Sequence, residues 1–230
     1  MRIAFWGNFG TFNLGNECTL RAMLEATRRL LPQAELVVLS NGPQDTTTRH
    51  KVRALAIPPA LPAGLQSVPA PFRQLRRFAI EAWDWRRALQ VLRSVDRLVI
   101  TGTGMLADRS EGAYGAPYQV LKWVAAARLL GKQVAFVSVG AEKLSQRRSL
   151  ALIGAALRLA SYRSYRDQLS KKRADRYMRK ATNDPVYPDL AFSLPKSLIT
   201  GAQVAAAAGL VAVGIYGVDG GDAEIGRAHV

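Results

Sequence analysis

Arg166, Asp189 and Glu17 are the side chains best placed in the sequence to do chemistry, because each stands just beyond a strand-like apolar run. A guanidinium can hold a carboxylate or a phosphate through two parallel hydrogen bonds, which makes Arg166 the candidate anion holder. The competing reading is a salt bridge with Asp167 or another acid that only shapes the loop. The carboxylates of Asp189 and Glu17 could serve as general acid or base. Alternatively, Asp189 caps its own loop, and Glu17 complements the positive end of a helix. Asp167 reads first as the N-cap of the helix beginning at Gln168.

Around these charges lie the expected substrate-binding positions: Gly10, Asn13, Gly15 and Asn16 in one loop, Gly102, Thr103 and Gly104 in a second, Gly140 in a third, and Ser170 beside Asp167. Glycine lets a backbone approach a ligand closely, although tight strand-to-helix turns need it for structural reasons too. Neither glycine loop is a G-x-G-x-x-G or Walker motif, and there is no Cys/His cluster, H-E-x-x-H or G-x-S-x-G. No metal or resident cofactor is therefore expected. His50 follows a threonine-rich turn and reads as exposed. Cys18 sits near a helix start, where position could lower a thiol pKa, but it reads as a packing residue.

The elements that must position these residues alternate between two periods. Continuous apolar runs at Arg2 to Trp6, Glu35 to Ser40, Arg97 to Thr101, Gln133 to Ser138, Ser161 to Tyr165 and Val186 to Tyr187 read as buried strands. Helical patterns run from Asn16, a candidate N-cap, to Leu31, and at Phe72 to Leu92, Pro117 to Leu130, Gln146 to Ala160 and Gln168 to Tyr177. Buried strands separated by helices predict an α/β fold, a doubly wound parallel sheet of Rossmann-like type. In such a sheet ligands bind outside the carboxyl ends of the strands, which is where the residues above fall. The proline-rich stretch from Ile57 to Pro71 reads as a surface excursion.

Composition narrows the class. The chain has 230 residues, 49% of them hydrophobic, enough for a sizeable core and against disorder. A single cysteine and no leader before the first strand point to a reducing cytoplasm. The net charge of +15 favours anionic partners, but 24 of the 32 basic residues are arginines scattered through an Ala/Leu/Arg-rich sequence. Without a recognised motif, nucleic acid is not an expected partner. Ser197 to Val218 carries no charge, yet its glycines and alanines suit a short helix and the strand Leu210 to Ile215 better than a membrane span.

In chain order, a strand, then G-x-x-N-x-G-[DN]-E (Gly10, Asn13, Gly15, Asn16, Glu17), V-I-x-G-x-G (Gly102, Gly104), L-G-K-x-V, S-x-R-D-x-x-S (Arg166, Asp167, Ser170) and P-D-x-A-F (Asp189, Phe192) resemble the polysaccharide pyruvyl transferase family over almost all of residues 1–195. Many relatives carry Asp where this chain has Asn16, and a Gly-Gly-Gly run where it has Gly102-Thr103-Gly104. The resemblance implies a two-domain GT-B-like transferase. Its donor would be phosphoenolpyruvate and its acceptor a sugar of a cell-surface polysaccharide precursor, free or lipid-linked, with a pyruvate ketal as product. Two alternatives stay open: a nucleotide-sugar glycosyltransferase of similar fold, and a non-catalytic phosphate- or glycan-binding domain, for which Asn16 and Thr103 are the clues.

Two further features bear on organisation. Phe72 to Arg93 mixes arginines with Phe72, Phe78, Trp83 and Trp85. It suits either a helix resting peripherally on an anionic membrane or an ordinary crossover helix with Phe72, Leu75, Ala79, Ala82 and Leu89 against the sheet. Glu224 to Val230 matches what a common sequencing-adapter oligonucleotide encodes. We therefore expect residues 1–195 to be the N-terminal domain, 196–223 a linker and the start of a truncated second α/β domain, and 224–230 a non-native tail. A fragment of this kind is expected to be inactive alone, because a two-domain cleft needs both walls.

Overall fold

The computed structural model describes residues 1–57, 73–108 and 112–195. The expectations for the proline-rich excursion, the uncharged segment with its strand, the second domain and the tail lie outside those residues. So does Phe72. The chain divides into the units Met1–Leu194 and Pro195–Val230, and the first holds all the elements below.

Six strands form one sheet: β1 (Arg2–Trp6), β2 (Glu35–Ser40), β3 (Arg53–Ala56), β4 (Arg97–Thr101), β5 (Gln133–Val139) and β6 (Tyr162–Tyr165). Their order is β3-β2-β1-β4-β5-β6, and every pairing is parallel. The helices are α1 (Leu14–Leu30), α2 (Pro43–His50), α3 (Arg73–Arg93), α4 (Ala116–Leu129), α5 (Arg147–Leu159) and α6 (Gln168–Met178). The fold is thus a doubly wound α/β sheet with the Rossmann strand order. Its direction of winding reverses between β1 and β4, which opens a crevice at their carboxyl ends.

Successive side chains of a strand face opposite ways, so β1 feeds two cores. Ile3 and Phe5 join Leu20, Leu24, Val38 and Val52 on one face. Ala4 and Trp6 join Leu98, Ile100, Trp123, Phe136 and Leu157 on the other. The Trp6 and Trp123 rings lie 5.8 Å apart at 44°, a tilted contact of the kind aromatic quadrupoles favour.

Several local expectations are corrected. The stretch before His50 is no exposed turn: Pro43 opens α2, and Thr46 and His50, one helical turn apart, are both buried. The segment Val186 to Tyr187 contributes a single bridge, Tyr165 to Val186, rather than a strand. On α3, Leu75 and Ala82 are exposed, while Leu89, as expected, packs against the core together with buried Ala88 and Leu92. The first half of α3 instead meets α4 through polar groups. Lys122, fully buried, pairs with Asp84 and lies 3.6 Å from Glu81, and Trp85 donates to the Tyr118 hydroxyl at 3.0 Å.

Two carboxylates make the fold acid-sensitive. Burial works against the charged form of Asp184, but the Arg163 guanidinium, at 2.7 and 3.2 Å, and the Thr182 hydroxyl outweigh it and hold its pKa below the ordinary 3.8. Burial of Asp108 is likewise outweighed by the N–H groups of Gln146 and Ser145 at the start of α5. Depressed folded-state values contribute stability that is present above the ordinary carboxylate range and lost as pH falls through them. The melting temperature should therefore drop steeply below about pH 4. Asp184→Asn should melt lower at pH 7 and show a shallower acid limb; a parallel limb in a pH series of thermal melts would refute this account.

Candidate active site at the carboxyl rim

The loops beyond the strands touch one another in an unbroken series along the carboxyl rim. After β1, the Asn8 N–H donates to Thr103 Oγ1, beyond β4, at 2.9 Å. Gly102 lies so near the Ser138 carbonyl of β5 that a Cβ there would overlap it. Ser138 donates in turn to the carbonyls of Pro188 at 2.9 Å and Tyr187 at 3.3 Å. Asp189 then reaches α1, where Thr19 Oγ1 lies 3.5 Å from its Oδ1. Asn13, Gly102, Arg166 and Asp189 thus belong to one rim rather than to opposite faces.

Arg166 is the prominent charge. Its backbone N–H donates to the Val139 carbonyl at 3.2 Å, continuing the sheet, and its guanidinium lies over Gly140. A Cβ at 140 would meet guanidinium atoms at 2.5–2.8 Å, so only glycine leaves the cation in this place. Asp167 and Asp189 each stand 3.6 Å from the guanidinium, beyond hydrogen-bond length, and the side chain stays 40% exposed. The cation is thereby partly neutralised but still open to an incoming anion.

The other acids are more committed. Asp167 caps α6, accepting from the Ser170 N–H at 2.6 Å and the Ser170 hydroxyl at 3.0 Å. Ser170 is buried, and its oxygen accepts from the Ala141 N–H at 3.0 Å, fixing the loop beyond β5. Asp189 Oδ1 caps the short turn Leu190–Ser193 through the Ala191 N–H at 3.0 Å, which leaves Oδ2 facing Arg166.

Glu17 is a correction. Its carboxylate is only 5% exposed, with Oε1 accepting from the Gly10 N–H at 2.9 Å and Oε2 2.8 Å from His50 Nε2. Both oxygens are engaged away from the rim surface, which does not fit a direct acid or base. An ionised carboxylate only accepts, so His50 Nε2 is the donor in that state. Gly10 itself sits at φ +68, and a Cβ there would collide with Gly42, so this position requires glycine.

Asn13, rather than Asn16, caps α1, accepting from the Asn16 N–H at 3.2 Å. The Asn16 amide donates to the Asn8 carbonyl at 2.9 Å. Thr103 is buried with its hydroxyl engaged by Asn8, whereas Gly15 and Gly104 are exposed along the rim. Cys18 is a half-buried free thiol. Sequence reasoning missed four contributors: Asn8, Thr19, Ser138 and His50. Asn8 also holds Asn41 beyond β2, at 2.8 Å, and it follows Gly7 at a strand end, a signal that could have found it. Among the described residues, no group of three or more His, Cys, Asp or Glu side chains could hold a metal ion.

A family model described as polysaccharide pyruvyl transferase matches residues 13–216. No curated protein matches the chain. Among solved structures, the chain is similar to MnaA of S. aureus in its co-structure with UDP, with 12% identity and a TM-score of 0.46 over 81% of this chain and 43% of that one. It is similar also to the apo form of the lipopolysaccharide outer core galactosyltransferase WaaB, with 12% identity and a TM-score of 0.45 over 80% of this chain and 44% of that one. The chain spans less than half the length of either.

Proposed function

From the premise that this chain belongs to the polysaccharide pyruvyl transferase family, we propose that its rim is the donor-side wall of a transferase moving the pyruvyl group of phosphoenolpyruvate onto a sugar of a cell-surface polysaccharide precursor. The observation that carries the reading is the open guanidinium of Arg166, seated on Gly140 and flanked at 3.6 Å by Asp167 and Asp189.

The reaction sets the requirements. The methylene carbon of the donor gains a proton, and C2 becomes electrophilic. One sugar hydroxyl adds to C2 and gives up its proton. The C2–O bond to phosphate breaks, and a second hydroxyl adds to close the ketal. Of the two hydroxyl protons lost, one balances the new methyl group and the other leaves with phosphate. Arg166 binds the donor's carboxylate or phosphate and opposes the negative charge that builds on the departing phosphate. Asp189, with Oδ2 free of the turn it caps, is the candidate to take a hydroxyl proton. The N–H groups of the glycine loops orient the donor, and no resident cofactor takes part. A lipid-linked acceptor would place the enzyme at the inner face of the membrane.

A second reading, transfer from a nucleotide sugar, draws on the crevice between β1 and β4, which suits a nucleotide. The two separate by which donor is consumed. Phosphate release from phosphoenolpyruvate, dependent on a glycan acceptor, is the expected result for the complete gene product. Consumption of a nucleotide sugar with phosphoenolpyruvate untouched would overturn the proposal.

A further inference from the structure

Helix α3 offers an interaction surface separate from the rim, and the inference does not depend on the reaction assigned there. The helix carries six arginines against two acids, Glu81 and Asp84. Both acids are paired with buried Lys122 of α4, with Glu81 also accepting from the Tyr118 hydroxyl. Asp84 is thereby taken out of solvent, while Glu81 keeps 42% of its side chain exposed but has its charge partly met by the lysine. Arg77, Arg86, Arg87 and Arg93 are exposed, with Arg86 and Arg93 on the side of the helix away from Lys122. Arg86 lies 5.8 Å from the centre of the Trp83 ring, so it is held against the helix rather than extended away.

The same side exposes apolar groups that an electrostatic patch does not need. Leu75 is 65% and Phe78 74% exposed, and Leu75, Ala82, Arg86 and Arg93 fall in one row along the helix. A cationic helix about 30 Å long, with leucine and phenylalanine at one end of its open side, has the pattern of an interfacial helix. We propose that α3 is a docking surface for an anionic lipid bilayer, lying along the headgroups with Leu75 and Phe78 inserted and Arg86 and Arg93 on lipid phosphates. Nucleic acid would satisfy the arginines but would leave Leu75 and Phe78 in water, so the bilayer is the occupant the surface favours.

Co-sedimentation of the full chain with vesicles tests this. Binding is expected to vesicles containing phosphatidylglycerol, not to vesicles of phosphatidylcholine alone, and is expected to weaken with salt. Replacing both Leu75→Ser and Phe78→Ser should lower the partition coefficient at least about tenfold. Arg86→Gln and Arg93→Gln should each lower it about fivefold, and because both side chains are exposed these two variants keep the test open if the double serine variant fails to fold. Equal binding to neutral vesicles would overturn the proposal, as would variants that partition like the parent. Retention by duplex DNA without vesicle binding would overturn it in favour of a nucleic-acid surface.

Discussion

Arg166→Ala should lower transfer from phosphoenolpyruvate by about two to three orders of magnitude, the range lost when a preorganised charge at a developing anion is removed. Its melting temperature should stay within a degree or two of the parent, because the guanidinium is 40% exposed and lies 3.6 Å from each acid, so little folding energy rests on it. Arg166→Lys should recover only part of the loss, since an ammonium cannot present two parallel donors. Gly140→Leu should reproduce the Arg166→Ala phenotype without touching the arginine, because a side chain at 140 occupies the place of the guanidinium. Steady-state kinetics with a melt for each variant is the measurement. Activity of Arg166→Ala within a few-fold of the parent would remove this residue from the mechanism.

Glu17→Ala is the largest expected effect on stability, a loss of about 3 kcal/mol, because it strands a buried imidazole and a backbone N–H together. The loop holding Gly10 would lose its tether, so donor binding should weaken as well. Glu17→Gln is the informative control. Its amide oxygen can still accept from Gly10, and its amide nitrogen can face His50 in the other tautomer, so most of the stability should return. Urea unfolding of the three proteins, with calorimetric titration of phosphoenolpyruvate, separates the roles. If the Gln variant is as unstable as the Ala variant, the tether described here is not what Glu17 contributes.

The parts of this architecture that could be read from residues are those whose cause is local. β1, β2, β4 and β5 are runs of apolar residues buried on both faces, and the caps at Asp167 and Asp189 are short-range hydrogen bonds. α2 and β3 escaped because their inward positions are not apolar in pattern: α2 buries Thr46 and His50, and β3 is a half-exposed edge. The pairing of Glu17 with His50 joins positions 33 residues apart, and Thr19 meets Asp189 across 170. No periodicity carries such contacts; they exist only once the winding of the sheet brings the helices to the same end. Placing the glycine loops at strand ends was within reach of sequence, but deciding which acid is open and which is spent required the packing.

Where β4 and β5 end, Gly102 abuts the Ser138 carbonyl, and Ser138 itself takes the left-handed φ of +50 at a shift in strand register. The base of the rim between β4 and β5 is consequently formed by peptide groups instead of side chains. Point mutation can hardly recontour such a base, so diversification toward other acceptors would have to proceed on the flanks, at exposed positions such as Asn8, Gly104 and Leu14.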